Sequence, residues 1–176
     1  MSKRSAVTRR RFLQVAATAA ASSALISCGR HAGPWRFFTA SEARTIEALC
    51  EQIIPADQDP GATWAGTIYY IDSQLVGHFR MVQSAYRSGI SAFDVACRSA
   101  HGTSFADLSF DQQTAFLQRL PNSLQPFFDM VITHTMQGFY GDARHNGNRD
   151  AVSWRMLGIP VIPIRGRDLY EFPRKG

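Results

Sequence analysis

Apolar residues recur at spacings of three and four between Thr39 and Phe139, and no stretch alternates at period two for long enough to make a strand. That spacing lays one apolar stripe along each of several helices and leaves no half-buried sheet to build. The fold class it predicts is all-α: a small irregular domain of about five helices. Beyond Gly138 the periodicity is lost, which predicts a long loop-rich C-terminal third.

The helix boundaries follow from local chemistry. Thr39-Ala40-Ser41-Glu42 is a capping box, in which hydroxyl and carboxylate satisfy each other's orphan N–H groups. Ile46, Leu49, Cys50 and Ile53 then share one face, and Pro55 closes the helix. Trp64, Ile68, Ile71 and Leu75 predict a second inward stripe, ended by Gly77. A longer helix is expected from Phe79 to Ala100, with Val82, Tyr86, Ile90, Phe93 and Cys97 inward and His101-Gly102 as its stop. Gly89 weakens its middle by up to about 1 kcal/mol relative to Ala, so a bend is expected there. Ser109-Phe110-Asp111-Gln112 is a second capping box before Phe116, Leu117 and Leu120, and Pro121-Asn122 breaks that helix. Ser123 to Phe139 reads as the last helix. Pro126 is tolerated in its first turn, and Phe127, Met130, Val131, Thr135 and Met136 form its apolar side.

The N-terminus has a different character. Thr8-Arg9-Arg10-Arg11-Phe12-Leu13-Gln14 reads as a twin-arginine export box, with Arg9, Arg10, Phe12 and Leu13 as its signature. The apolar run Val15 to Ile26 is too short for a spanning helix, which needs about 20 apolar residues. It follows a basic segment, as in signal peptides. Leu25-Ile26-Ser27-Cys28 resembles a lipobox, making Cys28 a lipidation candidate; ordinary cleavage near Ala24 or Ser27 is the alternative. The expected organisation is a signal peptide over 1–28, a tether over 29–38 and a single domain over 39–176. The expected location is periplasmic and membrane-associated. Five of the 19 basic residues and none of the 14 acidic ones precede Cys28, so the rest of the chain is neutral overall. Neutrality argues against a nucleic-acid partner, whose recognition needs a basic face.

Two further cysteines remain, Cys50 and Cys97. In an oxidising compartment they are disulfide candidates, and the closed loop would make such a bond worth about 4 kcal/mol in the chain-entropy model. The alternatives are two free buried thiols or a bridge to another subunit.

The densest polar stretch runs from His134 to Asp150. His134, Asp142, His145 and Asp150 are metal-ligand types, but their spacing fits no zinc pattern. Asp57-Gln58-Asp59 resembles the start of a calcium loop, yet the Gly and distal Glu are misplaced, so a turn is expected. There is no G-x-S-x-G elbow, no dinucleotide or phosphate loop and no C-x-x-C-H haem attachment site. No catalytic, cofactor-binding or metal residue is assigned. The residues around Gln137–Trp154 are instead expected to order a loop or to present a docking surface.

The chain resembles the gluconate 2-dehydrogenase subunit 3 family. The pieces that carry the resemblance are the twin-arginine start, Phe38-Thr39-x-x-Glu42, Ile53-Ile54-Pro55-Ala56-Asp57, Pro60-Gly61-Ala62 and Ile71-Asp72 with Leu75. Most specific are Gln137-Gly138-Phe139-Tyr140-Gly141-Asp142, Gly147-Asn148-Arg149-Asp150 and Trp154-x-x-Leu157-Gly158-x-Pro160. Ala143 departs from the Pro often found after that Asp. The resemblance implies an accessory subunit with no cofactor of its own. Its expected partners are a large FAD-dependent flavoprotein of the glucose–methanol–choline type, a multihaem cytochrome c carrying haem c, the twin-arginine translocase and a membrane surface reached through a lipid anchor. Gln137, Tyr140, Asp142, Asn148, Arg149, Asp150 and Trp154 are the partner-docking candidates. The free-standing alternatives are a lipoprotein binding module or a metal-dependent enzyme built on His134–Asp150.

Overall fold

A computed structural model describes residues 34–161. The export box and Cys28 lie outside the described residues. Among the described residues there are seven α-helices and no strand. They are α1 (Ala40–Ile53), α2 (Ala62–Ala65), α3 (Thr67–Leu75), α4 (Gln83–His101), α5 (Phe110–Leu117), α6 (Gln125–Tyr140) and α7 (Val152–Met156). Short 3-10 turns link several of them. The all-α expectation is met, with more and shorter helices than the periodicity suggested.

Helices α1, α3 and α6 pack on one another at the centre, and α4 lies against α6. The capping box at Thr39 is formed: Glu42 N donates to Thr39 Oγ1 and Thr39 N donates to Glu42 Oε2. Ser109 and Gln112 make the same reciprocal pair before α5. Tyr86, Ile90, Phe93 and Cys97 of α4 are buried as expected, whereas Val82 is half-buried in a 3-10 turn before the helix, which starts at Gln83 and not at Phe79; Gly102 ends it in the left-handed region at φ 74°. Phe93 meets Phe105 and Phe116 edge-to-face at 5.0 and 5.4 Å, a geometry favoured by the ring quadrupoles.

Gly89 lies inside the unbroken helix α4 (Gln83–His101). A methyl group there would sit 2.2 Å from Phe127 Cδ2, so the glycine exists to admit the Phe127 ring against the helix backbone. The segment 62–75 is not one helix. Gly66 adopts φ 71°, which an L side chain resists, and divides α2 from α3. The break turns Trp64 outward: it is 43% exposed, although its spacing suggested an inward position. Beyond Tyr140 the chain is not uniformly irregular, because Val152–Met156 forms α7.

Residues 37 and 38 are core rather than tether. Phe37 and Phe38 are both buried, each worth roughly 2–3 kcal/mol of apolar transfer. Their backbone is caught by the buried carboxylate of Asp72 on α3. Arg36 N donates to Oδ2 at 2.8 Å, and Phe37 N and Phe38 N donate to Oδ1 at 2.9 and 3.0 Å. Arg87 closes the other side. Its guanidinium bonds Glu42 and the Phe37 carbonyl and lies 4.0 Å from the centre of the Phe37 ring. Burial raises the Glu42 carboxyl, but Arg87 and the Thr39 donors outweigh it and hold the group below its ordinary value.

The Cys50–Cys97 bridge is absent, a correction to the disulfide expectation. Both are free, buried thiols. Cys50 Sγ faces α6, 3.3 Å from Thr135 Oγ1, whereas Cys97 belongs to the face of α4 that carries Phe93. Cys50 is engaged with α6, and neither thiol is bonded to the other.

Candidate functional site

The candidate surface begins where α6 ends. Gly141 N closes the helix on the Gln137 carbonyl. Asp142 then caps the next turn, accepting from Arg144 N and Nε at 2.9 Å each. The Arg144 guanidinium and amide beside it hold the Asp142 carboxyl below the usual carboxylate range. Two glycines let this loop lie close to the helices beneath it. A methyl on Gly138 would meet Tyr70 Cδ1 at 2.9 Å, and one on Gly147 would meet the Gly138 carbonyl at 2.3 Å.

Asn148 locks the far end. Its Nδ2 donates to the Gly141 carbonyl at 2.8 Å and its Oδ1 accepts from Ser153 N at 3.0 Å. One side chain thus ties the end of α6 to α7. Asn148, Asp150 and Ala151 all have positive φ (48°, 54° and 52°). Such residues cost of order 1–3 kcal/mol each and persist only where the surroundings enforce them. Arg149 lies between them and projects to within 5.8 Å of the Trp64 ring. Trp154 Nε1 donates to the Tyr140 carbonyl at 2.8 Å, fixing that indole against the end of α6.

These contacts sort the residues expected to dock a partner. Gln137, Tyr140 and Trp154 cluster at the C-terminal end of α6, beside exposed Met136, Met156 and Leu157. Arg149 and Asp150 are exposed on the strained turn. Asp142 is half-buried and paired with Arg144. Asn148 is a correction: it has no exposed surface, because both ends of its amide are spent on backbone, so it shapes the surface without lying on it.

The metal alternative on His134–Asp150 fails on geometry. His134 is buried in α6, its Nδ1 2.8 Å from Tyr86 Oη, and its ring stacks on Phe79 at 4.0 Å. Asp142 is held by Arg144, and His145 and Asp150 are out in solvent. Among the described residues no three His, Cys, Asp or Glu side chains converge as ligands. Asp57 and Asp59 form the expected turn, Asp59 N donating to Asp57 Oδ1 at 2.9 Å. A polar cleft of about 280 Å³ lies between α1 and α4, but its arginines are already paired, Arg44 with Asp107 and Arg98 with Asp94. Among the described residues no helix is long and apolar enough to cross a membrane.

A second surface group, Arg149 apart, was not singled out as a site from the sequence. Trp35 stacks on Tyr69, with ring centroids 5.1 Å apart. A methyl on Gly66 would touch Tyr69 Cδ2 at 3.3 Å and lie 3.6 Å from Arg149 Nη2. Trp35, Tyr69, Arg149 and Trp64 are therefore one continuous strip. Only the unusual glycine in the middle of a helical stripe signalled that Trp64 would turn outward.

The glycine-tuned loop, its internal asparagine and the aromatic end of α6 lie within the span that a family model recognises. The model for gluconate 2-dehydrogenase subunit 3 matches residues 40–160. The chain belongs to the gluconate 2-dehydrogenase subunit 3 family. No curated protein and no solved structure matches it significantly. For a member of the gluconate 2-dehydrogenase subunit 3 family the match has a structural reading: it begins at the first residue of α1 and closes just after α7, so it covers all seven helices.

Proposed function

We propose that this chain is the non-catalytic small subunit of a periplasmic, membrane-associated, FAD-dependent dehydrogenase of the gluconate or glucose type. It escorts a flavoprotein that has no export signal through the twin-arginine translocase and supports its maturation. FAD sits in that large subunit and haem c in a cytochrome partner. Catalysis belongs to the partner chain. Cys28 carries the lipid anchor.

The family match over residues 40–160 is the observation that carries this reading. The site chemistry supports it. Within the His134–Asp150 segment Asp142 and Asn148 hold backbone and His134 is bonded to Tyr86, and the side chains left outward, Tyr140, Trp154, Arg149 and their methionine neighbours, are of the kinds enriched at protein interfaces. The export box supplies one address, and a folded complex needs only one.

The test is Arg9→Lys combined with Arg10→Lys. Both this chain and the flavoprotein are then expected to stay in the cytoplasm. A flavoprotein that still reaches the periplasm removes the escort role.

A further inference from the structure

The Asp72 clasp fixes where the chain enters the domain. Three consecutive backbone N–H groups, from Arg36 to Phe38, are held by one buried carboxylate, so the segment leading back to Cys28 departs from the strip where Trp35 stacks on Tyr69. Six residues lie between Cys28 and Trp35, and fully extended the connection reaches at most about 25 Å. A lipid on Cys28 therefore holds this strip within that distance of the bilayer.

The strip has the composition of a membrane–water interface. Trp64 and Tyr69 are each 43% exposed, and Trp35 is half-buried beside them. Amphipathic rings of this kind settle at headgroup depth. Arg36 and Arg149 flank them, both exposed and, like Arg80, Arg119 and Arg155, in no ion pair among the described residues. A guanidinium offers forked donors that match a lipid phosphate. Asp150 is the neighbouring acid; the Asp72 carboxylate is consumed inside.

We propose that the Trp35–Tyr69–Trp64 strip, with Arg36 and Arg149 at its edges, seats the domain on an anionic bilayer surface. The proposal rests on the anchor assigned to Cys28 above. It also orients the molecule, because the tryptophans divide into two reporters. Trp35 and Trp64 face lipid. Trp154, on α7, has its indole bonded to the Tyr140 carbonyl at the α6 end and is assigned to the protein-facing side.

The experiment reconstitutes the full mature chain in phosphatidylethanolamine–phosphatidylglycerol vesicles with brominated acyl chains, which quench nearby indoles. Trp35→Phe with Trp154→Phe leaves Trp64 as the sole emitter; Trp35→Phe with Trp64→Phe leaves Trp154. Trp64 emission is expected to shift to the blue and lose most of its intensity, Trp154 emission to be unchanged, and the Trp64 signal to recover in vesicles of neutral lipid. An unquenched Trp64, equal quenching of Trp154, or full quenching in neutral lipid overturns the proposal. So does a Trp64 that responds only to added flavoprotein, which makes the strip a protein interface. Mass spectrometry of the N-terminal peptide tests the acyl chain separately. If Cys28 carries none, coupling its thiol to a maleimide lipid restores the tether, and Trp64 still decides the face.

Discussion

Tyr86 Oη and His134 Nδ1 lie 2.8 Å apart in the interior, with their rings within 8° of parallel. Burial pushes the Tyr86 phenol well above its ordinary value and the His134 imidazole below 6.5. The phenol therefore keeps its proton and donates to a neutral ring. Below pH 6.5 the unfolded chain takes up a proton that the folded chain refuses. Stability is thus full above that pH and declines as pH falls, until the lower folded value is reached. Thermal unfolding followed across this range is expected to show the decline, and His134→Gln to flatten it. Tyr86→Phe strands a buried acceptor and is expected to cost about 1–2 kcal/mol in denaturant titrations.

The Asp72 clasp makes a second prediction. Asp72→Asn keeps the size of the side chain but loses the charge that three N–H groups share. Hydrogen bonds to charged groups are worth about 1.5–3 kcal/mol each, so a loss of at least about 2 kcal/mol is expected. Limited proteolysis should then cut on the N-terminal side of Thr39 before any other site. An unchanged cleavage pattern would show that Phe37, Phe38 and Arg87 hold the segment unaided.

Gly89→Ala separates helix propensity from packing. Alanine is the better helix former by about 1 kcal/mol. Its methyl, however, would lie 2.2 Å from Phe127. Overpacking of this kind typically costs about 1–3 kcal/mol, so net destabilisation is expected. Phe127→Leu added to Gly89→Ala should recover part of the loss, and a double-mutant cycle measures the coupling.

At the loop, shape and contact come apart. Asn148→Ala removes two hydrogen bonds and leaves three positive-φ residues unsupported, so the melting temperature and flavoprotein co-purification should both fall. Tyr140→Ala with Met156→Ala truncates two side chains that are 39% and 40% exposed and donate or accept no side-chain hydrogen bond among the described residues. It is expected to reduce co-purification at nearly unchanged melting temperature. Equal retention of the flavoprotein by both variants would move the docking surface elsewhere.

The thiols give the simplest measurement. Burial pushes Cys50 up to about 12 and also raises Cys97. Neither is expected to react with a maleimide in the folded domain, and both should label once denaturant is added without reductant. Absence of label on both Cys50 and Cys97 would restore the bridge.

What could be read in the sequence was what is local. Both capping boxes, the stop at Gly102 and the inward stripe of α4 from Tyr86 to Cys97 depend on residues a few positions apart, and each is where the spacing put it. The Gly138–Asp150 loop was legible as dense and glycine-rich, but not the inward turn of Asn148, which depends on Gly141 and Ser153 meeting around it. Trp64 misled because a 4-3-4 spacing assumes an unbroken helix, and Gly66 breaks it. The capture of residues 36–38 by Asp72 spans more than thirty positions, a pairing that no periodicity carries. Gly89 read as a weakness because its reason is a ring from another helix. The value of α7 was hidden by its length, five residues being too few to show a stripe.

The two unjoined sulfurs carry a consequence for the order of events in the cell. Nothing that stabilises the described domain waits for oxidation. Its core can close completely under reducing conditions, with no disulfide left to form between Cys50 and Cys97.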